Sequence, residues 1–458
     1  MEIIKVSDSG MKNRKRLLFL LLIAGIFFFG LLLVSGVELY NDSEQYIDMH
    51  IHRDPGYCLF LWFFRVVCGE NYLLLVGITQ ALLATWCTAN FADYIAEEFA
   101  LGKVSTLIIF ACTLIPHIVT PLFSASRIVL STGVMSEALC LPLFLLFVKE
   151  LHKAVVRHDK GAVIVSFVLS LIISLVRAQL TAVILIWAIV LAVQILVEKQ
   201  YRKWILLLCA LVLFFAGKIL IVKTYNYCVQ GQFINTTYGS VNTLTNILYA
   251  SDREQGETIE DEELQTVFYM LYDLMDEANY NYKYGGNTIV SRAKYLESVH
   301  DALKFEVCEG GLKAYIKALG IKEYLALDIK ADEYAGELIK EIFPGCVGRW
   351  ISHYLILSMW GAIRNVAVVH PILSIYALTA GVVAIIMTVL FFKKDAESKE
   401  AWLMLIALLS IAGIAFSTAF TIMCLSRYMV YGFAGFYTAA YLMLLALMKN
   451  DKKRVKEA

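Results

Sequence analysis

The sequence predicts an all-α polytopic membrane protein, with about ten transmembrane helices and a helical extracytoplasmic subdomain. Three observations carry the all-α membrane class. Hydrophobic residues make up 59% of the 458 and charged residues only 17%, more apolar surface than a soluble protein of this size needs. Apolar runs of roughly 20 residues, the length that crosses a bilayer, recur along the chain. Lysines and arginines gather in five clusters separated by those runs, the asymmetry that orients membrane helices. The net charge is zero, so nothing here suggests nucleic acid as a partner. Ten cysteines lie scattered without a Cys-x-x-Cys pair and read as small apolar residues rather than a disulfide framework or zinc site.

In chain order, a basic cluster at Met11 to Arg16 precedes the apolar run Leu17 to Val37. With no small-residue cleavage site after it, that run reads as an uncleaved anchor. Asn41 to Tyr57 follows and is polar where its surroundings are not, with Asp42, Glu44, Asp48, Asp54, His50, His52 and Arg53. Pro55-Gly56 reads as a turn back toward the bilayer. Tyr57 to Cys68, at about 12 residues, is too short to span and is expected along the interface. Further spans are expected at 71–94, 104–122, 129–148, 161–177, 178–197, 204–223, 370–392, 401–421 and 427–448. As one helix, 161–197 would reach about 55 Å against a hydrocarbon core of about 30 Å. Two spans joined by an outer turn at Arg177 fit better. Ile351–Val369 holds His353, Arg364 and Asn365 and reads as an interfacial helix.

This map puts Lys12–Arg16, Lys149–Lys160, Lys199–Lys203, Lys393–Lys399 and Lys449–Lys456 on one side, with both termini cytoplasmic. The outer turns carry the lone arginines Arg127, Arg177 and Arg427. The chain divides into an N-terminal transmembrane catalytic module (1–223, first outer loop 38–70), an extracytoplasmic helical part (224–350), and an interfacial helix with the last spans (351–458). In the outer part Leu264, Val267, Phe268, Leu271, Leu274 and Met275 recur at helical spacing, which predicts a helix over 261–279. Others are expected near 289–308, 311–319 and 322–342. No nucleotide-binding glycine loop occurs, so any donor is expected from the membrane side.

Asp42 reads either as a solvated loop acid or as a general base at the membrane–water boundary. Glu137 stands at the outer end of the fourth expected span. It is either a functional acid or one favoured by a helix N-terminus. Arg53, Arg127, Arg177 and Arg427 either snorkel to headgroups or hold a phosphate. Asp48, His50 and His52 are candidate ligands for a divalent metal.

The first loop, in this setting, resembles that of GT-C glycosyltransferases, which include the protein mannosyltransferase and aminoarabinose transferase branches. That family has an acid at the exit of the first helix, a Tyr a few residues on, and a Pro-containing turn before an interfacial helix. Asp42-Ser43, Tyr46 and Arg53-Asp54-Pro55-Gly56-Tyr57 match, while Cys58 stands where the family often has a second Pro. The resemblance covers roughly residues 1–200. It implies an inverting transferase that passes a sugar from a polyprenyl-phosphate donor to an extracytoplasmic glycan, lipid or protein. On that reading Asp42 is the base, Glu137 an acid facing the first loop, and Tyr46, Arg53, Tyr57, Arg127, Arg177 and Arg427 bind the substrates. The rivals are a polysaccharide polymerase or ligase, which favours arginines in the large outer loop, and a flippase or transporter. A transporter is expected to show repeats and mid-membrane charge; here the polar residues crowd the outer boundary.

Overall fold

The structure, a computed structural model, describes residues 2–123, 127–368 and 370–457; the side chains of 2–12, 123 and 450–457, which include Lys12 and the last basic cluster after Lys449, lie outside that description. Every regular element among the described residues is a helix. In order they are α1 (Glu2–Ser35), α2 (Ser43–Ile47), α3 (Pro55–Cys68), α4 (Tyr72–Glu98), α5 (Lys103–Phe123), α6 (Glu137–Val156), α7 (Lys160–Val176), α8 (Ala182–Val197), α9 (Lys203–Gln230), α10 (Gly239–Tyr249), α11 (Glu262–Glu277), α12 (Ile289–Ala302), α13 (Gly310–Ala318), α14 (Tyr324–Arg364), α15 (Pro371–Lys394), α16 (Lys399–Thr421) and α17 (Gly432–Glu457).

Eight helical stretches among the described residues are long and apolar enough to cross a membrane: in α1, α3–α4, α5, α8, α9, α15, α16 and α17. This is a helical, multi-pass membrane protein. Of the ten expected crossings, α7 is apolar but has 17 residues, and α6 carries Glu137, Lys149, Glu150 and Lys153. The long run over 161–197 does break at Arg177, whose backbone is extended (φ −150, ψ 113) between α7 and α8.

The bundle is knit by α1 on α4, α4 on α6, α6 on α7, and α16 against α6, α8 and α17. One end of it collects the basic clusters. Arg16 pairs with Asp93, Arg157 and Lys399 both reach Glu98, and His158 and Lys203 reach Glu198. Lys449 lines a groove with Lys394 and Ser398 at the same end.

Four expectations are corrected. Residues 129–136 are not helical, and α6 starts at Glu137. Their backbone is held from outside, because Gln80 Nε2 donates to the carbonyls of Ser131 and Gly133 (3.4 and 3.2 Å) and Ser43 Oγ to that of Val134 (2.7 Å). Non-helical backbone at such depth needs partners of this kind. Pro55-Gly56 does not turn the chain but opens α3, with Pro55 in the first turn where its missing N–H costs nothing. A Cβ on Gly56 would stand 2.8 Å from the Leu175 carbonyl, so glycine lets α3 touch α7. The interfacial helix at 351–369 is not separate. It continues α14, one helix of 41 residues that runs through Pro344-Gly345 and Gly348. The last span begins at Gly432 rather than 427, after a short turn at Ser426–Tyr428. A helix at Gly239–Tyr249 was not expected, and it buries Val241, Leu244, Ile247 and Leu248 against α14.

The orientation inferred from the basic clusters is testable by labelling. Ser251 and Ser398 are buried, whereas Thr258 and Glu397 are exposed. With Cys209 and Cys228 replaced by Ser, a membrane-impermeant maleimide added to intact cells is expected to label Thr258→Cys and not Glu397→Cys. Labelling of the second would reverse or break the map.

Candidate active site

Four segments meet at the end of the bundle away from the basic clusters. They are 37–54 after α1, 129–136 before α6, the α7–α8 turn at Arg177, and the turn before α17 at Arg427. Backbone pairing joins the first two, with the Val134 N–H donating to the Glu38 carbonyl at 2.9 Å. Asp42 lies at the junction with its side chain 34% exposed. Arg53 Nη2 donates to its Oδ1 at 2.8 Å and Arg427 Nη2 to its Oδ2 at 3.2 Å. Burial works to raise its pKa, but the charges of Arg53 and Arg427 outweigh it and hold the carboxyl below its ordinary value. Arg53 is itself steered by Gln45 Oε1 at 2.8 Å and lies 4.7 Å over the Tyr46 ring.

Glu137 stands behind this pair, 2% exposed. Its Oε2 is 2.8 Å from Arg177 Nη1 and its Oε1 is 3.9 Å from Arg427 Nε. Arg427 therefore bridges the two acids. Arg177 is 9% exposed, so it does not snorkel. It donates to Ser136 Oγ and Gln179 Oε1, both at 2.9 Å, and its guanidinium lies 4.4 Å from the Tyr428 ring centre. Glu137 Oε1 has no hydrogen bond, so the pair is held through Oε2 and the contacts of Arg177.

A cavity of about 840 Å³ opens beside Asp42 and has two unlike ends. The polar end is lined by Asp42, Arg53, Arg177, Tyr238, Asp301 and Lys304. The apolar end, between α8 and α16, is lined by Leu185, Ile189, Phe215, Phe416 and Phe420. Those five are all exposed, so that end is continuous with the apolar outer surface of the bundle.

No protein-family model, curated protein or solved structure matches this chain. The function has to be argued from the site.

Tyr46 lines the cavity as expected, its OH 3.2 Å from Ser136 Oγ. Three other expectations change. Tyr57 is fully buried, donates to Gln80 Oε1 at 2.7 Å and packs edge-on against Tyr46, so it shapes the core and does not line the cavity. Arg127 is exposed, with φ +49, and lies outside the cavity. Asp48 is exposed and separate from His50 and His52, which meet Asp328 of α14 instead.

Lys304 and Asp301 were not singled out from the sequence, where they read as surface charges of a helix over 289–308. That helix loosens into a π-helical turn at Leu303–Glu309, a geometry often found at functional sites. Lys304 Nζ lies 4.3 Å from the Tyr238 ring centre. Burial lowers its pKa to about 8, although Glu309, Asp301 and Asp42 oppose this. No local pattern marks a π turn, so only the structure finds it.

Proposed function

We propose that this protein is a membrane glycosyltransferase of the GT-C kind. It takes a sugar from a polyprenyl-phosphate donor and passes it, with inversion, to an extracytoplasmic acceptor in a cell-envelope glycan, a lipid or a protein. The observation that carries the reading is the two-ended cavity beside Asp42. An isoprenoid chain fits the apolar gap between α8 and α16, and its phosphate would then lie between Arg53 and Lys304, which line the polar end. Planar guanidinium groups bind phosphate oxygens bidentately. The sugar's anomeric carbon would face Asp42, which accepts the acceptor's hydroxyl proton as the new bond forms and the lipid phosphate leaves.

In the free protein Asp42 is held by Arg53, which this reading assigns to the phosphate, and by Arg427, which does not line the cavity. A base so paired is weak. Donor phosphate competes for the Arg53 guanidinium, and drawing it from Asp42 raises its basicity when the donor is in place. Glu137, out of the cavity, keeps Arg177 and Arg427 in position rather than touching substrate. The bilayer face and the outer helical part then place donor and acceptor on opposite sides of Asp42.

The direct test is mass spectrometry of envelope glycans with and without the gene, followed by sugar transfer from a synthetic polyprenyl-phosphate sugar with purified protein. Loss of one sugar residue supports the reading; unchanged glycans and no transfer refute it.

Lys304 gives this reading a pH signature. Its lowered pKa, about 8, leaves it mostly protonated at pH 7 and mostly neutral at pH 9. Asp42, Arg53, Asp301 and Glu309 are the charges around it. A phosphodiester donor does not titrate in that window, so its affinity is expected to fall several-fold from pH 7 to 9. In Lys304→Arg the affinity should be flat over that range. An equal fall in the variant would remove Lys304 from the phosphate site.

A further inference from the structure

The first loop and α14 bring three side chains together without any signal in the spacing of the sequence. One ligand atom each from His50, His52 and Asp328 lies within 4.8 Å of the others. Asp328 Oδ2 is 3.5 Å from His50 Nε2, and Oδ1 is 3.4 Å from His52 Nε2. The Asp328 side chain is wholly enclosed and that of His52 nearly so, at 0% and 4% exposed. Neither oxygen of Asp328 nor His52 Nε2 has a hydrogen bond of sound geometry.

The tautomer makes this arrangement informative. His52 Nδ1 is 2.8 Å from Thr237 Oγ1. When Nδ1–H donates to that hydroxyl, Nε2 keeps its lone pair and turns it on a carboxylate, which is all acceptor. Two buried acceptors face to face repel each other unless a cation or a proton lies between them. Lys313 Nζ approaches Asp328 Oδ1 from the side at 2.5 Å and answers part of its charge, but it leaves His52 Nε2 without a donor. Lys313 also holds Glu309 Oε1 at 2.7 Å, so it keeps a carboxylate partner when a cation takes Asp328. His50 Nδ1 is 3.4 Å from the His52 backbone N–H, too long a contact to fix that ring's tautomer.

We propose that His50, His52 and Asp328 bind one divalent transition-metal ion of the zinc class, which ties the first loop to α14. Zinc binds imidazole nitrogen at about 2.0–2.1 Å and carboxylate oxygen at about 2.0–2.2 Å, which makes the edge of its tetrahedron about 3.4 Å. Each histidine stands at about that length from one oxygen of Asp328, His50 from Oδ2 at 3.5 Å and His52 from Oδ1 at 3.4 Å, and one ligand atom from each of the three residues lies within 4.8 Å of the others. Two imidazoles with one carboxylate select against magnesium and calcium, which take oxygen ligands. Thr237 orients the His52 ring as an outer partner, and Tyr238 stacks on the same ring at 4.3 Å. The ion's place is one residue from Arg53. Its function is to position the loop that brings Arg53 to Asp42, and the site stands whether or not the transfer reaction is the right one.

The test uses the full-length protein purified in detergent, stripped with chelator, given zinc and desalted. Metal analysis is expected to find one equivalent of zinc, and the melting midpoint is expected to rise with zinc and fall again with chelator. Asp328→Asn and His52→Gln should lose both effects. Thr237→Val should bind about 10- to 100-fold more weakly, as loss of an outer partner does. If Asp328→Asn does not fold, His50→Gln, at the more accessible edge of the cluster, takes its place. Wild-type protein that retains no zinc, or a midpoint that responds to pH near neutrality but not to zinc, would mean that a proton on His52 fills the gap, and would overturn the proposal.

Discussion

Asp42→Asn is expected to lower the rate of sugar transfer by a factor of about 10² to 10⁴, the usual worth of a positioned base, while donor binding changes little. The amide keeps the shape of the carboxylate, and its one oxygen can still accept from Arg53 or Arg427, while its NH2 faces the other guanidinium. It cannot take a proton. Single-turnover transfer from a polyprenyl-phosphate sugar, with binding measured separately, reads the two effects apart. Transfer within a few-fold of wild type would remove Asp42 as the base. The pairing with arginine also fixes a sign with pH. Because its pKa is lowered in the folded protein, Asp42 contributes stability that is fully present above the ordinary carboxylate value. That contribution is lost as the pH falls through the lowered one.

The second large effect concerns the Glu137–Arg177 pair, at 2% and 9% exposure the most enclosed ion pair of the site. Arg177→Met should destabilise the protein by about 3–5 kcal/mol, the cost of stranding one member of a buried pair. Glu137→Gln alone strands the arginine and should also destabilise. Combining Glu137→Gln with Arg177→Met removes both charges and should recover much of the loss, since no buried charge is then left stranded. Arg177→Lys should recover only part of it, because one ammonium cannot reach Glu137, Ser136 and Gln179 together. Melting midpoints in detergent for the singles and the double give the answer. A double variant no better than the worse single would show that the pair does not hold the site as described.

Part of the site was legible in the chain. Asp42, Arg53 and Tyr46 were placed together because they lie on one short polar loop. Arg177 was marked by being the sole charge in a long apolar run. Arg127 looked equivalent to Arg427 by the same logic, yet one lies exposed outside the cavity and the other bridges Asp42 and Glu137. Asp48 looked like the natural companion of two nearby histidines, but Asp328, from a helix far along the chain, takes that place. The onset of α6 was misjudged because apolar residues at 128–130 and 134–135 look helical when the polar contacts of Ser131 to Ser136 are unseen.

The sequence alone determined that this is a helical multi-pass membrane protein, that the chain turns at Arg177, and that its basic clusters share one end. These follow from run length against a fixed bilayer thickness and from the charge between runs, both of which are local. Only the tertiary structure decided which charges meet. Asp42 and Arg427 are 385 residues apart, and His52 and Asp328 sit on different elements. Their approach depends on the packing of α16 against α14, α6 and α17 and of α3 against α7 and α4. A polar side chain placed at a helix end by sequence can face lipid, core or cavity, and it is the rotation of each helix against its neighbours that chooses.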